Sequence, residues 1–238
     1  MNRFESNQTV GEIVTQEPRL SRVFETLGID YCCGGKVSLD DACRSRSLDP
    51  QVVLSQLAEE SSRASGTPPR VDPATMSLIA LADHIEQTHH VFVKTETPRL
   101  RTLAEKVASV HGERDARLLT VRDTFDGLAT EMTSHMMKEE RILFPLIREL
   151  DGAGGNGSHR LTVAAPIRQM ESEHEQAGEA LATLRRITDS YSPPDWACNT
   201  YRALLDGLEN FERDLHEHIH KENNILFPRA LSGKALKS

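Results

Sequence analysis

His135-Met-Met-Lys-Glu139-Glu-Arg-Ile-Leu-Phe-Pro145 and His218-Ile-His-Lys-Glu222-Asn-Asn-Ile-Leu-Phe-Pro228 are two copies of one pattern, His-x3-Glu-x2-Ile-Leu-Phe-Pro, set 83 positions apart. Residues four apart on a helix share a face, so each copy points a histidine and a glutamate the same way. The flanking residues say which way. Stepping by three and four, the first copy lies on a stripe of Leu118, Val121, Phe125, Leu128, Met132, His135, Glu139, Ile142 and Leu146. The second lies on Tyr201, Leu204, Leu208, Phe211, Leu215, His218, Glu222 and Ile225. Every other member of both stripes is apolar or aromatic, so the His and Glu interrupt two core-facing seams at one register.

Working outward, the same periodicity predicts four long helices at about 74–110, 114–149, 160–188 and 195–232. The connections DGAGGNGSHR (151–160) and DSYSPPD (189–195) have loop composition. Four helices with short links read as an up-down-up-down bundle in which the second and fourth helices are copies. His174 joins a third stripe with Val163, Ile167, Met170, Ala177, Leu181 and Leu184. On the first helix His84, in Asp83-His84-Ile85, follows Leu81 and precedes Val91, a weaker stripe. The expectation is that His84, His135, Glu139, His174, His218 and Glu222 converge.

An unpaired buried carboxylate costs several kcal/mol. Mutual hydrogen bonding is the plain alternative, but four imidazoles and two carboxylates have too few acceptors to serve one another. Imidazole and carboxylate suit iron, manganese or zinc, and six donors are too many for one tetrahedral zinc. They match two metals about 3.5–4 Å apart, each with two histidines and both bridged by Glu139 and Glu222. The remaining histidines read otherwise: His89, His90 and His159 as surface or loop residues, His216 and His220 as a solvated pair, and His111 as a helix C-terminal residue. Glu140 reads as an exposed charge.

The stretch SSRASGTPPRVDP (61–73) lacks apolar periodicity and reads as a linker. It divides a small helical unit, residues 1–62, from the bundle at 74–238, with residues 63–73 as the link. The small unit carries a turn with two adjacent thiols, Asp30-Tyr31-Cys32-Cys33-Gly34-Gly35. Cys43 and Cys198 read as packing residues. The fold class expected is all-α, in keeping with 5% aromatics and a single Trp.

Composition excludes other classes. With a net charge of -8 and no basic block, the chain is a poor nucleic-acid or anionic-membrane binder. No apolar run approaches the roughly 20 residues that span a bilayer, and MNRFESNQTV lacks a signal-peptide core. Four Cys do not make a disulfide framework, so a cytoplasmic protein with reduced thiols is expected. The oligomeric state is left open, a homodimer included.

Taken together, the twin His-x3-Glu-x2-Ile-Leu-Phe-Pro motifs and the Tyr31-Cys32-Cys33-Gly34-Gly35 turn carry a resemblance. The C-terminal unit resembles a hemerythrin-like domain, and the whole chain is similar to the RIC family, the repair-of-iron-centres di-iron proteins. The oxygen-carrying hemerythrins differ, with an additional His, an Asp ligand and no Cys-containing domain. The resemblance implies two non-haem iron ions, oxo- or hydroxo-bridged, held by His84, His135, Glu139, His174, His218 and Glu222. It implies damaged iron–sulfur proteins as partners, NO or O2 as small ligands, and repair of clusters harmed by nitric oxide or oxidants through iron supply. Alternatives within the same chemistry are a di-iron nitric oxide reductase or peroxidase, and an O2- or NO-binding sensor. Cys32 and Cys33 carry over as a pair for iron or sulfur handling, thiol exchange or NO chemistry.

Overall fold

Side-chain caps start most of the short N-terminal helices. Thr9 Oγ1 accepts the Glu12 N–H while Glu12 Oε2 accepts the Thr9 N–H, a reciprocal cap that opens α1 (Val10–Gln16). A 3-10 turn, Pro18–Leu20, leads into α2 (Ser21–Leu27). Ser38 caps α3 (Leu39–Ser45), and α4 (Pro50–Arg63) opens on a proline after Asp49. The helix therefore runs one residue into the expected link of 63–73. The computed structural model describes residues 4–63, 72–152 and 157–232, so most of the expected linker lies outside the described residues.

Four long helices follow. α5 (78–111) opens behind the Ser77 cap; α6 spans 117–152; α7 is Gly157–Ile187; α8 spans 199–232. α5 packs on α6 and α8, and α7 packs on α6 and on the end of α8, which closes a four-helix bundle. The all-α expectation holds: among the described residues the one β feature is an isolated bridge, Thr9 with Ser38.

Three of the four long helices are not regular. α5 contains a π turn at Glu86–His90, α6 one at Glu139–Leu143 and α8 one at Glu222–Leu226. Each is closed by a bond five residues back: Val91 N–H to the Glu86 carbonyl, Phe144 to Glu139, and Phe227 to Glu222. Two of the turns have a local cause. A proline ring collides with the carbonyl four residues earlier, and for Pro145 and Pro228 those residues are Arg141 and Asn224, inside the widened turns. The turn in α5 has no such proline, and no local cause of it is apparent.

A π turn adds one residue and rotates everything beyond it. Ile142, expected in the core, is 53% exposed, while Leu143 beside it is 1% exposed. Phe144 and Ile147 are buried in its place. The apolar interior consequently falls into two clusters. One holds Met132, Met136, Ala177, Leu181, Leu215 and Ile219 and continues into the small unit through Phe24, Tyr31 and Leu39. The other holds Leu81, Ile85, Leu143, Phe144, Ile167 and Phe227. The His and Glu side chains lie between these two clusters on all four helices.

The small unit sits directly on the bundle. Asn224 Nδ2 donates to the carbonyl oxygens of Tyr31 (3.2 Å) and Cys32 (3.0 Å). The Tyr31 ring lies edge-on to His216 and His220, burying His220 where a solvated residue was expected. Gly35 is what lets the two units meet, because a Cβ there would overlap the Asn224 side-chain amide. A Gly35→Ala variant is expected to lose about 1–3 kcal/mol of stability through this overlap. Chemical denaturation checks it; an unchanged midpoint would mean that the contact is not tight.

Candidate metal centre

Six side chains from four helices meet in the layer between the two apolar clusters, in two groups that share two members. His90, Glu139, His218 and Glu222 form one group, and His135, Glu139, His174 and Glu222 the other, with the donor atoms of each group within 4.8 Å of one another. All six residues are buried, at 0–1% exposure. Each carboxylate turns one oxygen to each group. Glu139 Oε2 is 3.4 Å from His90 Nε2 and its Oε1 is 3.3 Å from His135 Nε2. Glu222 Oε1 is 3.0 Å from His218 Nε2 and its Oε2 is 3.1 Å from His174 Nε2.

Of the residues expected from the sequence, His135, Glu139, His174, His218 and Glu222 are brought together, and His84 is not. His84 is half-buried and meets the ring of His89 edge-on, one π turn short of the cluster. Its place is taken by His90, read from the sequence as a surface residue. The physical reason is the Glu86–His90 turn: a regular helix continued from Leu81 and Ile85 would not put residue 90 on the core side, and the extra residue rotates it inward. A signal for His90 was present. Moving back from His174 by the 83 positions that relate the two motifs lands at position 91, next to His90 and seven residues from His84.

Outer partners fix the rings. His90 Nδ1 is 2.7 Å from Glu140 Oε1, which Lys94 also holds. His135 Nδ1 is 2.8 Å from Glu173 Oε2, and Lys138 and Gln169 bind the other oxygen of Glu173. His174 Nδ1 is 2.8 Å from Asn223 Oδ1. These bonds leave the three Nε2 atoms facing the centre, the orientation that metal-binding histidines are given by an acceptor on the far nitrogen. His218 is set differently, by His89 stacked on it at 5.5 Å with ring planes 1° apart. His89, expected at the surface, is buried and bound to Asp214 and Lys221. Glu140 and Asn223 hold equivalent places in the two motifs and do equivalent work, each holding the histidine of a neighbouring helix. No local pattern marks either residue, nor Glu173, because their partners come from other helices.

The electrostatics favour anionic carboxylates. Burial alone would drive Glu222 up, but His218 and His174 hold it well below the usual carboxylate range. Burial and Glu222 oppose the charge on Glu139, and His135 and His90 outweigh them. Burial opposes charge on His135 as well, yet Glu139, Glu173 and Glu222 hold it at about 10. Even so the set does not satisfy itself. Both oxygens of Glu139 and the Nε2 of His90 are buried without a hydrogen bond, although their separations are short enough for attraction. Unpartnered buried oxygens of this kind cost several kcal/mol, and a cation in each group would satisfy them. The residues therefore fit two metal ions, with four imidazoles, two shared carboxylates and no thiolate in the set.

Comparison with known proteins points to a cation-binding domain over the same part of the chain. The model of the hemerythrin HHE cation binding domain matches residues 81–230, and that of a domain of unknown function (DUF542) matches residues 6–61. The iron-sulfur cluster repair protein YtfE of Dickeya chrysanthemi (strain Ech1591) is 39% identical over 228 residues, covering 96% of this chain and 98% of that protein. Those of Enterobacter sp. (strain 638) and Escherichia coli O17:K52:H18 are 39% and 38% identical with the same coverage. The chain belongs to the hemerythrin-type iron-sulfur cluster repair proteins. Its cofactor is accordingly a pair of iron ions. No helix among the described residues is long and apolar enough to cross a membrane.

For this member of the family, replacing His90 by Ala is expected to cut bound iron from two per chain to one or fewer, while His84→Ala keeps both. Glu140→Ala is expected to weaken iron binding about 10–100-fold through its loss of hold on His90. Iron analysis of the purified variants checks each outcome, and a His84→Ala protein without iron would contradict the assignment.

Proposed function

We propose that this protein restores damaged iron–sulfur clusters in the cytoplasm by giving up iron from its two-iron centre, and that His90, His135, His174 and His218 hold the metals while Glu139 and Glu222 bridge them. When bound, the iron supplies the element that a broken cluster lacks. The side chains supply the rest. Glu139 and Glu222 stay anionic inside the core and so attract and retain cations. Glu140, Glu173 and Asn223 keep three rings aimed inward.

The observation that carries this reading is the position of Asn223. Its Oδ1 meets His174 Nδ1 at 2.8 Å, and its Nδ2 lies 3.5 Å from the carbonyl oxygen of Cys32. One side chain thus joins the metal layer to the thiol turn of the small unit. A simple carrier of a small ligand has no need of such a link, whereas a donor of iron has use for thiols beside its store. The curated relatives are named for repair, which favours supply of iron over reductase, peroxidase or sensor roles.

The test is anaerobic. The iron-loaded full chain is mixed with a nitric-oxide-damaged [4Fe–4S] dehydratase, sulfide and a thiol reductant. Enzyme activity is expected to return as iron leaves the protein, and a Glu139→Ala/Glu222→Ala variant is expected to restore none. Recovery of activity with full iron retention, or equal recovery with the double variant, would contradict the proposal.

A further inference from the structure

The metal layer is fully enclosed, so iron on its way out must pass some side chain before it reaches solvent. The thiol turn stands where that passage would begin. Cys33 Sγ lies 3.5 Å from the carbonyl oxygen of His174. It lies over helix α7 at Gly178, where a Cβ would sit 3.6 Å from the sulfur. On its other side it borders an open cleft of about 580 Å3, whose walls carry Glu175 and Glu179 together with Arg46, Arg186 and the Arg185–Glu212 ion pair. Cys33 therefore touches the backbone of a metal-holding residue on one side and an open polar cleft on the other.

The donor atoms of the turn are already arranged for a cation. Asp30 Oδ1 accepts the N–H groups of Cys32 and Cys33, each at 2.9 Å, and Oδ2 accepts the Gly34 N–H at 2.9 Å. This locks the turn and places Asp30 Oδ1 3.3 Å from Cys32 Sγ. The two sulfurs are 3.8 Å apart, and both thiols are free. Two sulfurs each about 2.3 Å from a tetrahedral metal are themselves about 3.8 Å apart. One oxygen and two sulfurs from this turn form a third group close enough to share one ion.

We propose that Asp30, Cys32 and Cys33 form a transfer site for ferrous iron, which takes Fe2+ from the two-iron centre and passes it through the adjoining cleft to the acceptor. This rests on the iron-donor reading above. The transfer is an exchange of ligands in which no electron moves. As Fe2+ binds, Cys32 and Cys33 each release the thiol proton to water in the cleft, and each regains one when the iron leaves. Three donors from the turn leave a fourth position to an incoming sulfur of the acceptor, so iron need not travel free in water. The turn offers three donors to one ion, whereas each group in the buried layer offers four.

Cobalt(II) reports thiolate ligation directly. The iron-loaded, reduced full chain is titrated anaerobically with Co2+ alone, and its iron content is followed in the same sample. One further metal is expected to bind with a near-ultraviolet thiolate-to-cobalt charge-transfer band while both irons stay in place. Cys33→Ala is expected to abolish the band, keep two irons per chain, and slow release of iron to a ferrous chelator at least tenfold. Gly178→Val, which crowds the sulfur without removing it, is expected to do the same. A missing band in the unaltered protein, or a band or release rate unchanged in Cys33→Ala, would overturn the proposal. If the band and fast release are present but the damaged dehydratase does not recover, the transfer site stands and the repair reading falls. If the dehydratase recovers equally fast with Cys33→Ala, the repair reading stands and the transfer site falls.

Discussion

Two carboxylates buried on facing helices are the constraint around which this molecule is arranged. Glu139 and Glu222 are completely inaccessible to solvent and sit between two apolar clusters. A lone buried carboxylate would neutralise itself or unfold its surroundings. Here each faces one histidine of its own helix and one from another, with one oxygen turned to either group. That geometry defines two cation positions with shared edges, and the outer shell of Glu140, Glu173 and Asn223 exists to keep the rings in place around them.

The widened turns are the backbone's part in this arrangement. Glu139 and Glu222 open two of them and His90 closes the third. Such turns are rare and concentrate at functional sites, because an extra residue is tolerated only where something compensates for the disturbed ladder. In this protein they rotate three helices so that core residues on both sides of the polar layer point inward. Without the turn in α6, the phase that buries Met132 would also bury Ile142, which is instead exposed.

Much of this was legible in the sequence. The repeated His-x3-Glu motifs revealed the bundle, the polar layer and four of the six residues that meet in it, and the apolar stripe around His174 gave a fifth, because a motif and its flanking stripe are local properties of one helix. What was not legible depends on neighbours. His84 has the right spacing for a regular helix; the 83-residue offset points to the neighbourhood of His90, and the π turn is what rotates that residue inward. Glu140 and Asn223 look like surface residues until the adjacent helices bring His90 and His174 to them. Docking of the thiol turn was equally hidden, since it depends on Gly35 and Asn224, two residues far apart in the chain whose contact no periodicity records.

The central claim is that two irons share Glu139 and Glu222, one flanked by His90 and His218 and the other by His135 and His174. Anomalous diffraction at the iron absorption edge from crystals of the iron-loaded chain tests it most directly. The account predicts two peaks about 3.5–4 Å apart between the two carboxylates, each beside one of these histidine pairs. A single peak, or a peak next to His84, would contradict it.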